Sequence, residues 1–422
     1  IRATSSGVIG RTLDIFVYGK NMAWVTVQLY SNYQKNIKEA ASPLSLIPAG
    51  LAIVAATYGL ARYAYGLFLP YIQHDLALST EVMGVIAGVS YMGYLVATIL
   101  GSWISGLTGP RLPVVLGGLA ATGGMALIST ATSVDVLTIG VFLAGTSPGL
   151  VYPPLSDAVM RLIVEDKRTL TYAWINAGTG IGVIFAGPVA LWAGMEWRSA
   201  WCVFALFALV ATVWNGQLMP HGPYGSEKTT LPRLSWGWFI HTRSSKLLLS
   251  ATMFGLASSV YWTFAVDLLT RHGALSANQA TLFWVFIGVS GLLGGFAGSL
   301  VARFGLKRTF FCTAICTGGG VTLIVIDPGS LALVIISAAM FGATFILQTG
   351  LFGIWSINLF RDRPSAGFGA VFFLISFGQL IGPVVAGFLA PVVGLTAIFY
   401  GAGGLCALTA LFAPKNDLFT IR

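Results

Sequence analysis

Few residues in this chain of 422 could do chemistry: Asp and Glu number 14, Lys and Arg 23, and His 4. One of them is isolated. Arg62 lies in the run AATYGLARYAYGLFLP, residues 55 to 70, which carries no other charge. A guanidinium offers a rigid fork of N–H donors, a shape that suits carboxylate or phosphate. On a helix its face is shared by Tyr58, Gly59, Tyr65, Gly66 and Leu69, so two hydroxyls would flank the cation and two glycines would leave it room. Three roles are open. Arg62 binds an anionic group of a substrate, or pairs with Asp267 in one state of a conformational cycle, or hydrogen-bonds tyrosines and carbonyls and fixes packing.

Other titratable groups fall at the ends of apolar segments: Glu81, Asp157 and Asp267. Asp267 and Asp157 are therefore the candidates for proton coupling or gating, because carriers driven by protons place a carboxylate within a span. Cys202, Cys312, Cys316 and Cys406 lie in apolar stretches and suggest neither a disulfide framework nor a zinc site. No GxxxxGK[ST] phosphate loop occurs. Neither a cofactor, a metal nor an enzymatic activity is expected.

The composition sets what must position these groups. Hydrophobic residues make up 56% of the chain and charged residues 9%, with a mean hydropathy of +0.82. A water-soluble domain has no use for so much apolar surface, so the solvent is lipid. The 52 glycines suit helices that pack closely without a hydrophobic force between them. Stretches of about 20 apolar residues can each cross a bilayer. Twelve are found, at 46–70, 81–104, 113–131, 134–158, 170–192, 197–218, 247–270, 280–302, 309–326, 331–357, 366–390 and 392–413.

An all-α integral membrane protein follows, with an N-terminal bundle over 44–218, a linker over 219–246 and a C-terminal bundle over 247–414. The linker, PHGPYGSEKTTLPRLSWGWFIHTRSSKL, is polar, broken by Pro and Gly, and ends in an aromatic and basic stretch suited to the interface. Residues 1–43 read as a tail, with Met22 a candidate start, and 415–422 as a second tail. Loops on the linker side hold thirteen Lys and Arg, the opposite loops only Arg198 and Arg271. That bias puts both tails in the cytoplasm of a multi-pass inner-membrane protein. It also makes the net charge of +9 a matter of topology, with no nucleic-acid partner expected.

The two bundles repeat. Ala77-Leu78-Ser79 returns as Ala274-Leu275-Ser276, Gly101-Ser102 as Gly298-Ser299 and Gly145 as Gly342, all 197 residues later. Thr122-Gly123-Gly124 and Gly187-Pro188 return after 195. A parallel duplication of six-helix units is expected of transporters that hold substrate between their halves.

With this architecture the chain resembles the major facilitator superfamily over residues 44–414. The family's loop GxxxDRxGxKR is matched by GSLVARFGLKR, Gly298 to Arg308: Gly298, Arg303, Gly305, Lys307 and Arg308 fit, and Ala302 replaces the acid. The first copy, GSWISGLTGPR, has lost the acid and the next arginine, and Val141 stands where the family often has an arginine. GTGIGVIFAGP, Gly178 to Pro188, is similar to the glycine-rich fifth span associated with exporters, and the opening stretch to a bacterial branch with largely unassigned substrates.

The resemblance implies a central cavity lined by spans one, four, seven and ten. It points to Arg62, Tyr58, Tyr65, Trp262 and Gln348 as substrate-binding residues, with Asn176, Trp284 and Gln379 as further options. The implied function is secondary transport of a small organic solute by a monomer rocking between two states, with protons as a possible partner. Efflux from the fifth span and uptake of an anion from Arg62 both stand. The rival is a polytopic sensor or membrane enzyme.

Overall fold

In hydrocarbon every backbone N–H and C=O must be satisfied within the segment, which for single crossings means helix. A computed structural model describes residues 43–222, 242–271, 273, 275–360 and 364–414, and every regular element among them is helical. The first half holds α1, continuous through Pro43–Val54, Ala55–Tyr63 and Ala64–Leu76, then α2 (Thr80–Thr108), α3 (Arg111–Ser129), α4 (Val134–Leu162), α5 (Glu165–Ala193) and α6 (Trp197–Leu218). The second half holds α7 (Thr242–Arg271), α8, continuous through Ala277–Gly291, Leu292–Phe296 and Ala297–Phe304, α9 (Leu306–Leu323) and α10 (Leu331–Leu359). The last helix, Pro364–Leu408, is broken at Gly394, whose φ of 80° and ψ of 151° are not helical. We call the parts before and after that break α11 and α12.

Among the described residues ten helices are long and apolar enough to cross a membrane. The break at Gly394 divides one of them, and α9, whose first turn carries Lys307 and Arg308, is not among them; twelve crossings remain the reading of the sequence. Residues 1–42, most of the linker and 415–422 lie outside the described residues.

The repeat has a physical basis. Ser79 and Ser276 each cap a helix, accepting from the backbone N–H of Val82 and Gln279, so the recurring Ala-Leu-Ser is a helix start. Gly145 closes on the backbone of Ser90, and Gly342 on that of Ile287, the same pair moved by 197 residues. Lipid-facing surfaces stay apolar: Trp192 is 68% exposed and Leu411 73%, exposures that water would penalise.

The halves meet along α2 with α11, α5 with α8, and α1 with α7. Each seam is closed by glycine. A Cβ at Gly66 of α1 would overlap the Trp262 carbonyl of α7, one at Gly84 of α2 the Pro383 carbonyl of α11, and Gly187 of α5 packs on Thr281 and Val285 of α8. All lie toward the end of the bundle opposite the linker. There one large apolar core joins residues of both halves, Phe68 and Met83 with Trp262 and Leu268. At the linker end the first half has a separate core, including Ile53, Val151 and Ile175, with no member from the second half. The halves thus share one core at the far end, while at the linker end the first half keeps a core of its own.

Candidate functional site

Mid-way along α1, Ala55–Tyr63 is wound as a π-helix. Its wider turn, bonded i→i+5, is a known companion of functional sites and alters which side chains share a face. Arg62 lies in its last turn, only 7% exposed. Its guanidinium carbon sits 4.0 Å from the ring centre of Tyr94, 4.9 Å from Tyr91 and 5.5 Å from both Tyr58 and Tyr63. Ring faces stabilise a desolvated cation by about 0.5 to 2 kcal/mol each. One hydrogen bond completes its contacts: Nη2 donates to Gln379 Oε1 of α11 at 2.7 Å, across the seam. Arg62 Nε is buried without a partner. No carboxylate among the described residues pairs with Arg62, so its charge is left uncompensated.

The predicted neighbours are rearranged around it. Tyr58 joins the cage and donates to the Tyr94 hydroxyl at 3.3 Å. Tyr65 turns toward α2, where its hydroxyl lies 3.4 Å from the Met83 carbonyl, and borders a small cavity with Arg62, Ser90, Tyr91 and Trp262. Trp262 stacks on Tyr63 at 4.2 Å across the seam, and its indole N–H is buried without an acceptor. Gln348 of α10 is fully buried, and neither its amide oxygen nor its nitrogen has a partner. The room expected beside Gly59 and Gly66 is taken up: Gly59 closes on Gly182 of α5, Gly66 on α7. A small residue in a bilayer more often admits a neighbouring helix than a solute.

Asp267 is ion-paired with Arg271, one turn on in the same helix, at 2.7 Å. The alternative pairing of Arg62 with Asp267 is therefore not adopted in this state. Asp157 accepts from Ser105 at 2.6 Å, and Ser105 occupies the place of the acid missing from the first loop copy. In the second copy Gly298 has open space around it, Gly305 turns the chain at a φ of 79°, Arg303 lies over Phe304, and Lys307 and Arg308 are exposed. Tyr63, Tyr91 and Tyr94 were missed by the reading of one helical face; a tyrosine pair at 91 and 94 in the next span was the available signal.

The two walls differ in chemistry. From Arg62 toward the linker end the first half presents hydroxyls: Tyr58 packs on Tyr152 at 5.5 Å, Tyr152 on Tyr172 at 5.4 Å, and Tyr152 donates to Asn176 at 3.0 Å. In the second half the corresponding residues are phenyl rings, buried among themselves: Phe254 stacks on Phe345 at 5.6 Å and packs on Phe352 at 5.5 Å. A buried cation between helices of the two halves is a group that an anion could meet.

Residues 54–413 match the family described as "Uncharacterised MFS-type transporter YbfB". The chain belongs to this MFS-type transporter family. It is similar to the "Transcription regulatory protein OpdE" of Pseudomonas aeruginosa, 23% identical over 374 residues, covering 85% of this chain and 91% of that protein. It is also similar to the hexuronate transporter of Bacillus subtilis, 22% identical over 384 residues, covering 83% and 89%. Its fold matches a crystal structure of a mutant of the peptide transporter POT with a TM-score of 0.72 at 15% identity, covering 90% of this chain and 96% of that one. The MFS-type transporter is thus a multi-pass membrane protein that moves a small solute, and the rival reading as a sensor or membrane enzyme is not favoured.

Proposed function

We propose that the chain carries a small organic anion by alternating access, with Arg62 as the group that holds the anionic end. One observation carries this: a buried guanidinium at the seam between the halves, with an orphaned Nε and no acid beside it. Removing a cation from water is costly unless an opposite charge arrives, and here the arriving charge is the substrate. The carboxylate borne by the solute of the hexuronate transporter is in keeping with this. Uptake into proteoliposomes by a panel of carboxylates, neutral sugars and organic cations tests it: anions are expected to move and to compete with one another. Preferential movement of a cation would end the proposal.

The excess of Lys and Arg in the linker-side loops supports a cytoplasmic linker, with both tails inside, in the inner membrane. On that orientation the core shared by the two halves seals the outer end in the present state. The exposed Arg303, Lys307 and Arg308 would then meet the opposite half, or lipid headgroups, as the inner end closes.

Protons are the proposed coupling partner, through Asp267. Its carboxylate is fully buried near the far end while Arg271 beside it is 39% exposed, so opening that end would admit water to the pair. Asp267→Asn is expected to abolish stimulation of flux by a pH gradient and to spare solute exchange. Unchanged stimulation in this variant would exclude Asp267 as the proton site.

A further inference from the structure

We infer that the anion this site takes has a flat apolar body ending in a hydrogen-bonding group, with Arg62 gripping the charged end and Gln348 the other, as in a hydroxyaryl carboxylate. The inference rests on the anion reading above and specifies its substrate class.

Gln348 of α10 is a further buried polar group left without partners. Its amide is fully buried, with donor and acceptor both unsatisfied. A buried primary amide in this condition is destabilising unless something arrives to meet it. A hydroxyl answers both needs, since it donates to Oε1 and accepts from Nε2. The same helix connects this amide to Arg62. Phe345, one turn before Gln348, lies 6.4 Å from the ring of Tyr63, which itself flanks the guanidinium, and 5.4 Å from Trp262. Three residues along a helix advance about 4.5 Å, so the amide lies one turn from the ring that borders the cation's cage.

The surroundings of the amide are aromatic, and Phe345 is the ring between it and the cage. Phe254 packs on Phe345 and on Phe352, the residues one turn either side of Gln348. A sugar acid, with hydroxyls around its whole ring, would press several of them against phenyl faces that return no hydrogen bond. An aromatic ring stacks there with favourable offset or edge contacts. The two halves then recognise different parts of one molecule, and the substrate itself bridges the seam that must rock.

The test uses the full chain in proteoliposomes, with labelled benzoate, 4-hydroxybenzoate and glucuronate as probes, in the wild type, Gln348→Met and Arg62→Lys. Methionine matches glutamine in length and removes both polar atoms. Expected in the wild type is a preference of tenfold or more for 4-hydroxybenzoate over benzoate, with glucuronate slowest. In Gln348→Met that ratio should fall to within about twofold of one, while the unliganded variant melts at or above the wild-type temperature because an unsatisfied amide has gone. A ratio unchanged in a Gln348→Met protein of normal melting temperature overturns the inference alone, as does glucuronate moving fastest. If instead Arg62→Lys transports every anion as the wild type does, the anion reading has failed and this inference falls with it.

Discussion

Arg62→Met abolishes transport of the substrate anion, and Arg62→Lys weakens its binding by about 10- to 100-fold while leaving the protein folded. The size follows from the fork. Each hydrogen bond to a charged group contributes about 1.5 to 3 kcal/mol, and lysine retains the charge but loses the parallel second bond. Methionine loses both bonds and the charge, which places its flux below detection. Lysine remains able to sit among Tyr58, Tyr91 and Tyr94, because an ammonium also favours ring faces. Initial-rate uptake across a concentration series separates the two variants. If Arg62→Lys shows wild-type affinity, the fork is not what binds, and Arg62 only fixes the packing of α1 on α11 through Gln379.

Gly66→Val holds the far end of the molecule open and lowers turnover by tenfold or more without removing the binding site. Gly66 has no side chain because the Trp262 carbonyl occupies the space where one would be. Both neighbours are backbone atoms of long helices, so neither gives way locally, and the bulk of valine must separate α1 from α7. Those helices belong to different halves, which can part as bodies. Gly59→Val is the contrast. Gly59 closes on Gly182 of α5 within the same half, where nothing is built to separate, so that substitution should reduce the yield of folded protein. A cysteine at Thr263, beside the small cavity, reads the difference. An impermeant maleimide added at the far side is expected to label it faster in the Gly66→Val background. Equal labelling would mean that this glycine contact does not govern opening.

The spans, the duplication and the one lone cation were legible in the sequence because each rests on a strong local signal: length of apolar run, shared offset, and a charge where lipid forbids one. The surroundings of Arg62 were not. A regular helix puts Tyr65 on its face, yet the π-helical turn over Ala55–Tyr63 brings Tyr63 into the cage and sends Tyr65 to Met83. Nothing in AATYGLARY announces that winding, since it depends on how the turn is packed against α3, α4, α5 and α6. Gln379 is 317 residues from Arg62, a separation at which helical periodicity is silent. The proposed partner Asp267 had a nearer suitor in Arg271, four residues on, which periodicity alone could have shown. Gly59 and Gly66 were read as room beside the cation, whereas spacing cannot say whether a gap stays open or is filled by another helix.

The most direct test of the central claim is the thermal stability of the purified wild type and Arg62→Met, each with and without a panel of carboxylates. A ligand at about 100 times its dissociation constant adds about 2.7 kcal/mol to the folded state, enough to raise the melting temperature measurably. At least one carboxylate is expected to raise the melting temperature of the wild type and to leave Arg62→Met unmoved. A carboxylate that stabilises both proteins equally would contradict it, because the anion would then be held somewhere other than the buried guanidinium.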